Sequence, residues 1–264
     1  MLEAFVTYDG YIFAAIAFFG TALAALFLLW ISQRSRYSAF IKDFRGVAAP
    51  FIGIPGILFA LNLVFLANDT WGAHDRAQTA VYQEASALRS ILTVAAQLPA
   101  PNRIMVSSAV EKYVDHVATI EWQKLAHRQS DPQIYQDIAA LIALAVSKEV
   151  AGSLDQTSHA YLISQVDRVK EAHSQRVILS KTHINPLKWL GMAVLGFITM
   201  ISIVMVHVDQ VKAEIIAVAL FVIAATPTAV IVLVQSNPFQ QPTDLVATPI
   251  LCVVQSTDAC DRLP

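Results

Sequence analysis

From Tyr11 to Ile31 the chain carries no charged side chain. At a rise of about 1.5 Å per residue, an α-helix of that length reaches roughly 30 Å, the thickness of the hydrocarbon core of a bilayer. Lipid offers no partner to backbone N–H and C=O groups, so a lone crossing segment must satisfy them internally, as a helix does. Ala49 to Asn68 and Ile215 to Val234 are likewise uncharged, and Leu187 to Val206 holds one charge, Lys188, at its start. The expected fold class is an all-α membrane protein with four transmembrane helices, two before and two after a helical extramembrane domain. Its parts are a first helix pair over 1–69, the domain over 70–186, a second pair over 187–235 and an extramembrane tail over 236–264. Composition agrees, with 56% hydrophobic and 14% charged residues, far more apolar than a soluble domain of this length. The net charge of −2 and the lack of any Lys/Arg block argue against a nucleic-acid partner.

The four runs are not equivalent. The second holds Pro50, Gly53, Pro55, Gly56 and the polar Asn62, which makes it a poor lipid segment and a candidate for protein surroundings. Pro227 interrupts the fourth. Tyr11, Trp30, Lys188 and Trp189 stand where interfacial anchors belong. No basic segment precedes the first run, which reads as an anchor rather than a cleaved signal. Arg34, Arg36, Lys42 and Arg45 crowd the first connection while residues 1 to 10 carry no Lys or Arg. The positive-inside rule places that loop in the cytoplasm of a bacterial-type inner membrane, with the large domain and both termini outside. An oxidising exterior suits a disulfide between Cys252 and Cys260, the two cysteines of the chain.

Between Thr70 and Pro186 charge is balanced and four helices are expected. Ala77, Val81, Ala85, Leu88 and Leu92 mark the first, over about 71–98, which is placed to continue the second transmembrane helix. The second covers about 103–127. The third starts at the Ser130-Asp131-Pro132 cap and ends at Gly152; the fourth opens with a capping box at Ser153 to Gln156 and stops at Pro186. In the tail, the run from Pro249 to Gln255 is the one plausible strand.

On the second transmembrane helix, Phe51, Pro55, Leu58, Asn62, Phe65 and Asp69 recur at spacings of four and three and share one face. Around an axis of several copies, this face would line a path with apolar constrictions at Phe51 and Phe65, a polar ring at Asn62 and an acidic mouth at Asp69. Ordinary helix packing, with Asn62 bonded to a neighbour, explains the same pattern. Asp115-His116, and Glu171 with His173, are acid–histidine neighbours, yet no four-ligand spacing accompanies them and no metal site is expected. No phosphate-binding loop, nucleophile elbow, zinc-protease helix or haem-attachment motif is present, so an enzyme is not expected and no cofactor is implied.

Several stretches carry a likeness: Gly46-Val-Ala-Ala-Pro-Phe51, the run Leu58 to Trp71, and Val81-Tyr-Gln-Glu84-Ala-Ser-Ala-Leu88. Tyr113-Val-Asp-His-Val117, Ile120-Glu-Trp122, Arg176-Val177, Trp189 and Asn237-Pro-Phe239 extend it. Together they span about residues 46 to 240 and resemble the bestrophin-like family of four-helix membrane proteins. The resemblance implies a two-plus-two helix plan, an oligomer and an ion channel with the second helix at its neck, where Phe59 and Phe65 stand for the aromatics. Bestrophins keep their helical domain in the cytoplasm, opposite to the charge-based orientation. Glu84 and Glu121 fit the family pattern within helices that carry apolar faces, so a buried ion pair with Arg89 or Arg176 is implied as a structural polar feature rather than a catalytic one.

Two functional readings stay open on the sequence. One is a homo-oligomeric channel for inorganic ions with its pore lined by the second transmembrane helix. The other is a non-catalytic accessory or scaffold subunit of a larger membrane complex, packing through small residues such as Gly20 and Ala24. In both the bilayer is the first partner.

Overall fold

The computed structural model describes residues 10–35, 53–181, 186–240, 245–255 and 260. In chain order the elements are α1 (Gly10–Arg34), α2 (Gly53–Ala95), α3 (Ala100–His116), a π-helical turn (Val117–Glu121) running into α4 (Trp122–Ala126), α5 (Pro132–Ala145), α6 (Lys148–Ala151), α7 (Gln156–Lys181), α8 (Pro186–His207), α9 (Val211–Val234) and α10 (Thr248–Leu251). No strand occurs among the described residues. Four helices, α1, α2, α8 and α9, are long and apolar enough to cross a membrane. The molecule is an all-helical membrane protein.

The chain divides into two compact units. The first contains α1, the start of α2, α8 and α9. One seam is filled by Ala25 and Leu28 of α1, Met200 and Val204 of α8, and Val218 of α9. A second joins Leu66 and Ala67 of α2 to Met192 of α8 and to Ala229 and Val232 of α9. The outward faces carry large apolar side chains such as Phe19, Leu23, Leu190, Leu220 and Ile223, all exposed on the single chain. Water would penalise that arrangement and hydrocarbon does not.

The second unit holds the rest of α2, α3 to α7 and the tail from Asn237. Its core draws Val81, Leu88 and Ile91 from α2, Val110 and Val114 from α3, Ile134 and Leu141 from α5, and Leu162 and Val169 from α7. As expected, α2 continues past the membrane segment without a break, for a total of 43 residues. Asp131 caps α5 by accepting from Gln133 N at 3.1 Å, with Pro132 in the first turn.

Three local expectations are corrected. The helix over 132–152 breaks after Ala145, where Ser147 donates to Leu144 O at 2.8 Å and caps the short α6. The cap of α7 is Asp155, which accepts from Thr157 N and Ser158 N at 2.9 and 3.0 Å. Ser153 instead donates to Glu149 O at 2.6 Å, and a carboxylate at the helix start is the better charge match to the N-terminal dipole. The tail segment from Pro249 is α10 followed by turns rather than a strand: Ile250 N and Leu251 N bond Ala247 O, and Ile250 is fully buried. With no sheet edge at hand, local bonds are what satisfy that backbone. Cys252 and Cys260 stand at disulfide distance, with Cα atoms 5.5 Å apart.

Asn237 fastens the tail. Its fully buried amide donates to Leu125 O at 3.1 Å and Ala126 O at 3.0 Å, the last carbonyls of α4, and its Oδ1 accepts from Phe239 N at 3.1 Å. Phe239 then meets Trp122 edge to face, with ring centroids 5.4 Å apart. Asn237→Ala should lower stability by about 1–3 kcal/mol, because buried groups lose their partners. A drop in the thermal midpoint of the purified protein, shared by Asn237→Asp, is the expected reading.

Candidate functional site

The membrane part of α2 has two sides. Leu66, Ala67 and Thr70 are buried within the first unit, whereas Leu58, Phe65 and Asp69 are exposed and Pro55 and Asn62 half-buried. Phe51 lies outside the described residues. Phe65 is the most open of this set of apolar residues at 64%. Asn62 reaches toward α8: a Cβ added to Gly191 would stand 3.5 Å from its Nδ2. Asp69 is not a lone carboxylate, since Lys188 of α8 donates to its Oδ2. Phe59 points elsewhere than Phe65. It packs on Phe221 of α9 at 5.5 Å between centroids, and a Cβ at Gly196 would come within 3.1 Å of its ring. An added Cβ there would make the ring give by a few tenths of an ångström, so Phe59 packs closely on α8 and α9 within the helix bundle.

A second polar set in this unit has no counterpart among the residues singled out from the sequence. Glu214, in the first turn of α9, is fully buried, and it accepts from Ser32 Oγ and, at 3.0 Å, from Gln33 Nε2 at the end of α1. The uncharged run of the sequence starts one residue later, at Ile215. The helix begins at Val211, which draws the carboxylate into the bundle at a helix N-terminus, where the macrodipole favours it.

In the second unit the structure brings Glu84, Glu121 and Arg176 together. Arg176 Nε donates to Glu84 Oε2 at 2.6 Å and its Nη2 to Glu84 Oε1 at 3.0 Å, while Nη2 also reaches Glu121 Oε2 at 3.1 Å. Tyr113 donates to Glu84 Oε1 at 2.6 Å, and His173 Nε2 pairs with Glu121 Oε1 at 2.7 Å. All five side chains are fully buried. Arg176 also lies over the Trp122 ring at 5.7 Å, and Tyr135 meets His173 edge to face at 5.3 Å. Arg89, the alternative cation for this pair, is exposed.

Glu121 ends the π-helical turn. That one-residue widening rotates the helix beyond it and is a device often found beside functional groups. Tyr113 reads in sequence as one more apolar-face residue. His173 and Arg176 are three apart on the buried face of α7, with Val169 and Val177, and that spacing is the signal the sequence holds.

The electrostatics are set by burial and pairing. Burial works against the Glu121 carboxylate, but the hydrogen bond from His173 and the charge of Arg176 outweigh it and hold its pKa below the ordinary Glu value. Burial and then the neighbouring Glu84 push the Tyr113 phenol well above its usual range. Burial opposes the Arg176 charge, yet Glu84 and Glu121 leave it more firmly protonated than a free arginine. His116 bonds Asp137 Oδ2 at 2.7 Å, with Lys112 on Oδ1 at 2.8 Å, and is not paired to its neighbour Asp115. No cluster of three metal-ligating side chains occurs among the described residues. The arrangement holds charge and ties α2, α3 and α7 together.

The family model of the Bestrophin-like domain matches residues 19–249. The chain belongs to that family. No curated protein and no solved structure matches it. The bestrophin-like family is known for channels rather than enzymes, and four apolar helices are consistent with a channel-like membrane protein.

Arg176→Met should cost about 3–5 kcal/mol, because it leaves two carboxylates buried without their cation. Calorimetry of the detergent-solubilised protein reads that as a lower unfolding midpoint. A second outcome concerns pH. Glu121 holds a proton less readily folded than unfolded, so its contribution is complete above the ordinary Glu pKa of about 4.3 and is lost as pH falls through the lower folded value. The midpoint should drop on acidification in that window, and Glu121→Gln should make that part of the profile shallower.

Proposed function

We propose that this protein is an oligomeric bestrophin-like ion channel whose path is lined by the membrane part of α2. One observation supports it above the rest: Leu58, Phe65 and Asp69 recur along one face of α2 and stay exposed, while the opposite face is buried in the bundle. Copies arranged around an axis would cover that face with one another and leave Phe65 at a constriction. A ring of bulky apolar side chains gates by expelling water, so its bulk sets the conductance. Asn62, half-buried beside Gly191, would contribute the polar level of the path.

The proposed orientation has the cluster Arg34, Arg36, Lys42 and Arg45 in the cytoplasm and the second unit outside. Cys252 and Cys260 at disulfide distance suit an oxidising exterior.

Purified protein in planar bilayers should give single-channel currents, and Phe65→Ala should raise the unitary conductance by about twofold or more by widening an apolar constriction. Silence under all voltages, pH values and calcium concentrations, or a conductance indifferent to Phe65→Ala, would falsify the pore reading. For the orientation, a cysteine at Ser108 in a background lacking Cys252 and Cys260 should react with a membrane-impermeant maleimide in intact cells. Labelling that requires permeabilisation would put the second unit in the cytoplasm.

A further inference from the structure

The second unit carries a hollow of about 450 Å³ between α2 and α7. That size is within the range of about 300–1,000 Å³ usual for ligand pockets. Arg168 and Glu171 stand on its α7 side, three residues apart and so neighbours on the helix surface. Both are exposed, and their side chains pair neither with each other nor with another described residue. Gln165, on the same wall, is only 2% exposed. Its Nε2 donates to Ser164 Oγ at 3.3 Å, while its Oε1 has no partner among the described residues. That oxygen keeps accessible surface, unlike His173 Nδ1 and Arg176 Nη1, the side-chain atoms of this unit that lack a partner and are closed off. A buried amide whose acceptor is open and unmet is placed for a donor that comes from outside the chain. Gln83, Ser86 and Gln175 complete the polar wall with groups that both donate and accept.

We propose that this hollow binds a free α-amino acid with a polar, uncharged side chain. Its carboxylate takes the Arg168 guanidinium, its ammonium donates to Glu171 and to Gln165 Oε1, and its side chain lies among Gln83, Ser86 and Gln175. The placement of charge on the wall selects that ligand. A simple anion meets the Glu171 carboxylate and a simple cation meets Arg168, and like charges brought together reject the wrong partner. An uncharged sugar displaces water from both charges and returns a counter-charge to neither. A calcium-like ion wants six or more oxygen ligands, and Glu171 is the one carboxylate on this wall. A zwitterion brings each charge to its opposite within one small molecule, as the spacing of Arg168 and Glu171 requires. The guanidinium fork matches a carboxylate with two parallel hydrogen bonds. Ala87 and Ala172, small and buried on the same wall, leave the space to the guest. The site lies within the second unit and stands whether or not the protein conducts.

The test is calorimetric titration of the full chain in nanodiscs with L-glutamine and with two molecules that each lack one of its head charges. Glutaramate lacks the ammonium, and 4-aminobutanamide lacks the carboxylate. L-glutamine should bind with a Kd of roughly 0.1–1 mM, the scale for a ligand of so few atoms. Each relative should bind about tenfold more weakly or worse, the scale of a lost hydrogen bond to a charged group. Arg168→Met should weaken L-glutamine by about tenfold without weakening 4-aminobutanamide, which has no carboxylate to lose. Glu171→Gln should weaken L-glutamine without weakening glutaramate. Both positions are exposed, so an unchanged unfolding midpoint should accompany each loss. Absence of L-glutamine binding at millimolar concentration, equal binding of the three molecules, indifference to both substitutions, or D-glucose binding as tightly as L-glutamine would overturn the proposal.

Discussion

Hydrocarbon returns no hydrogen bond to a polar group placed in it, and the first unit is organised by that constraint. Its backbone is helical almost throughout the described residues. Its polar side chains are handled in a few ways. Threonines turn back to their own helix. Glu214 is received by Ser32 and Gln33, so a buried carboxylate joins α9 to α1 instead of repelling the interior. Asp69 carries Lys188. Against that background Trp189 and Thr226 each keep one buried polar atom with no partner among the described residues.

The second unit meets the same difficulty with charge. Two carboxylates, a guanidinium and an imidazole lie in a fully buried cluster, where removing one partner is far more damaging than replacing the whole set by apolar residues. Such a cluster is weak evidence for stability. Geometry is where it differs from an apolar core. The guanidinium fork takes Glu84 with two nitrogens and Glu121 with one of them, so a one-turn slip of α7 against α2 would break several short bonds at once. Apolar side chains of similar size tolerate such a slip more readily.

Long-range periodicity is legible in this sequence and local chemistry less so. Runs of 20 apolar residues reveal membrane helices because length and hydropathy alone decide them, and the family matches are spread widely enough to be seen in the chain itself. The Ser130-Asp131-Pro132 start is readable because a cap followed by proline has one helical use. Ser153 misleads, because Asp155 two residues on takes the N–H groups of Thr157 and Ser158 and starts the helix there. The strand expected at Pro249 fails for want of a neighbour, since a β-prone run without a sheet has nowhere to place its backbone bonds. Partners distant in sequence are the hardest. Glu84 and Arg176 are 92 residues apart, and the family resemblance offers Arg176 only beside Arg89, whereas Ser32 and Glu214, 182 apart, are named by no local pattern. The π-helical turn that carries Glu121 inward leaves no mark in composition.

Lys188 changes what can be inferred from Asp69. Read along α2 alone, a carboxylate at the end of a regular face becomes an acidic ring in any axial assembly, and such a ring attracts cations and repels anions. In such an assembly the ammonium of Lys188 on that carboxylate would make each copy contribute a dipole of nearly zero net charge at that level. Both side chains are about half exposed, at 47% for Asp69 and 50% for Lys188, so the pair is well hydrated and its orientation can follow the local field. The sign of the ion that a path along this face would favour is then set by the uncharged groups that ring it, chiefly the Asn62 amide, which offers both donors and an acceptor. An acidic residue at the end of this face therefore does not by itself fix the sign of the ion that such a path would pass.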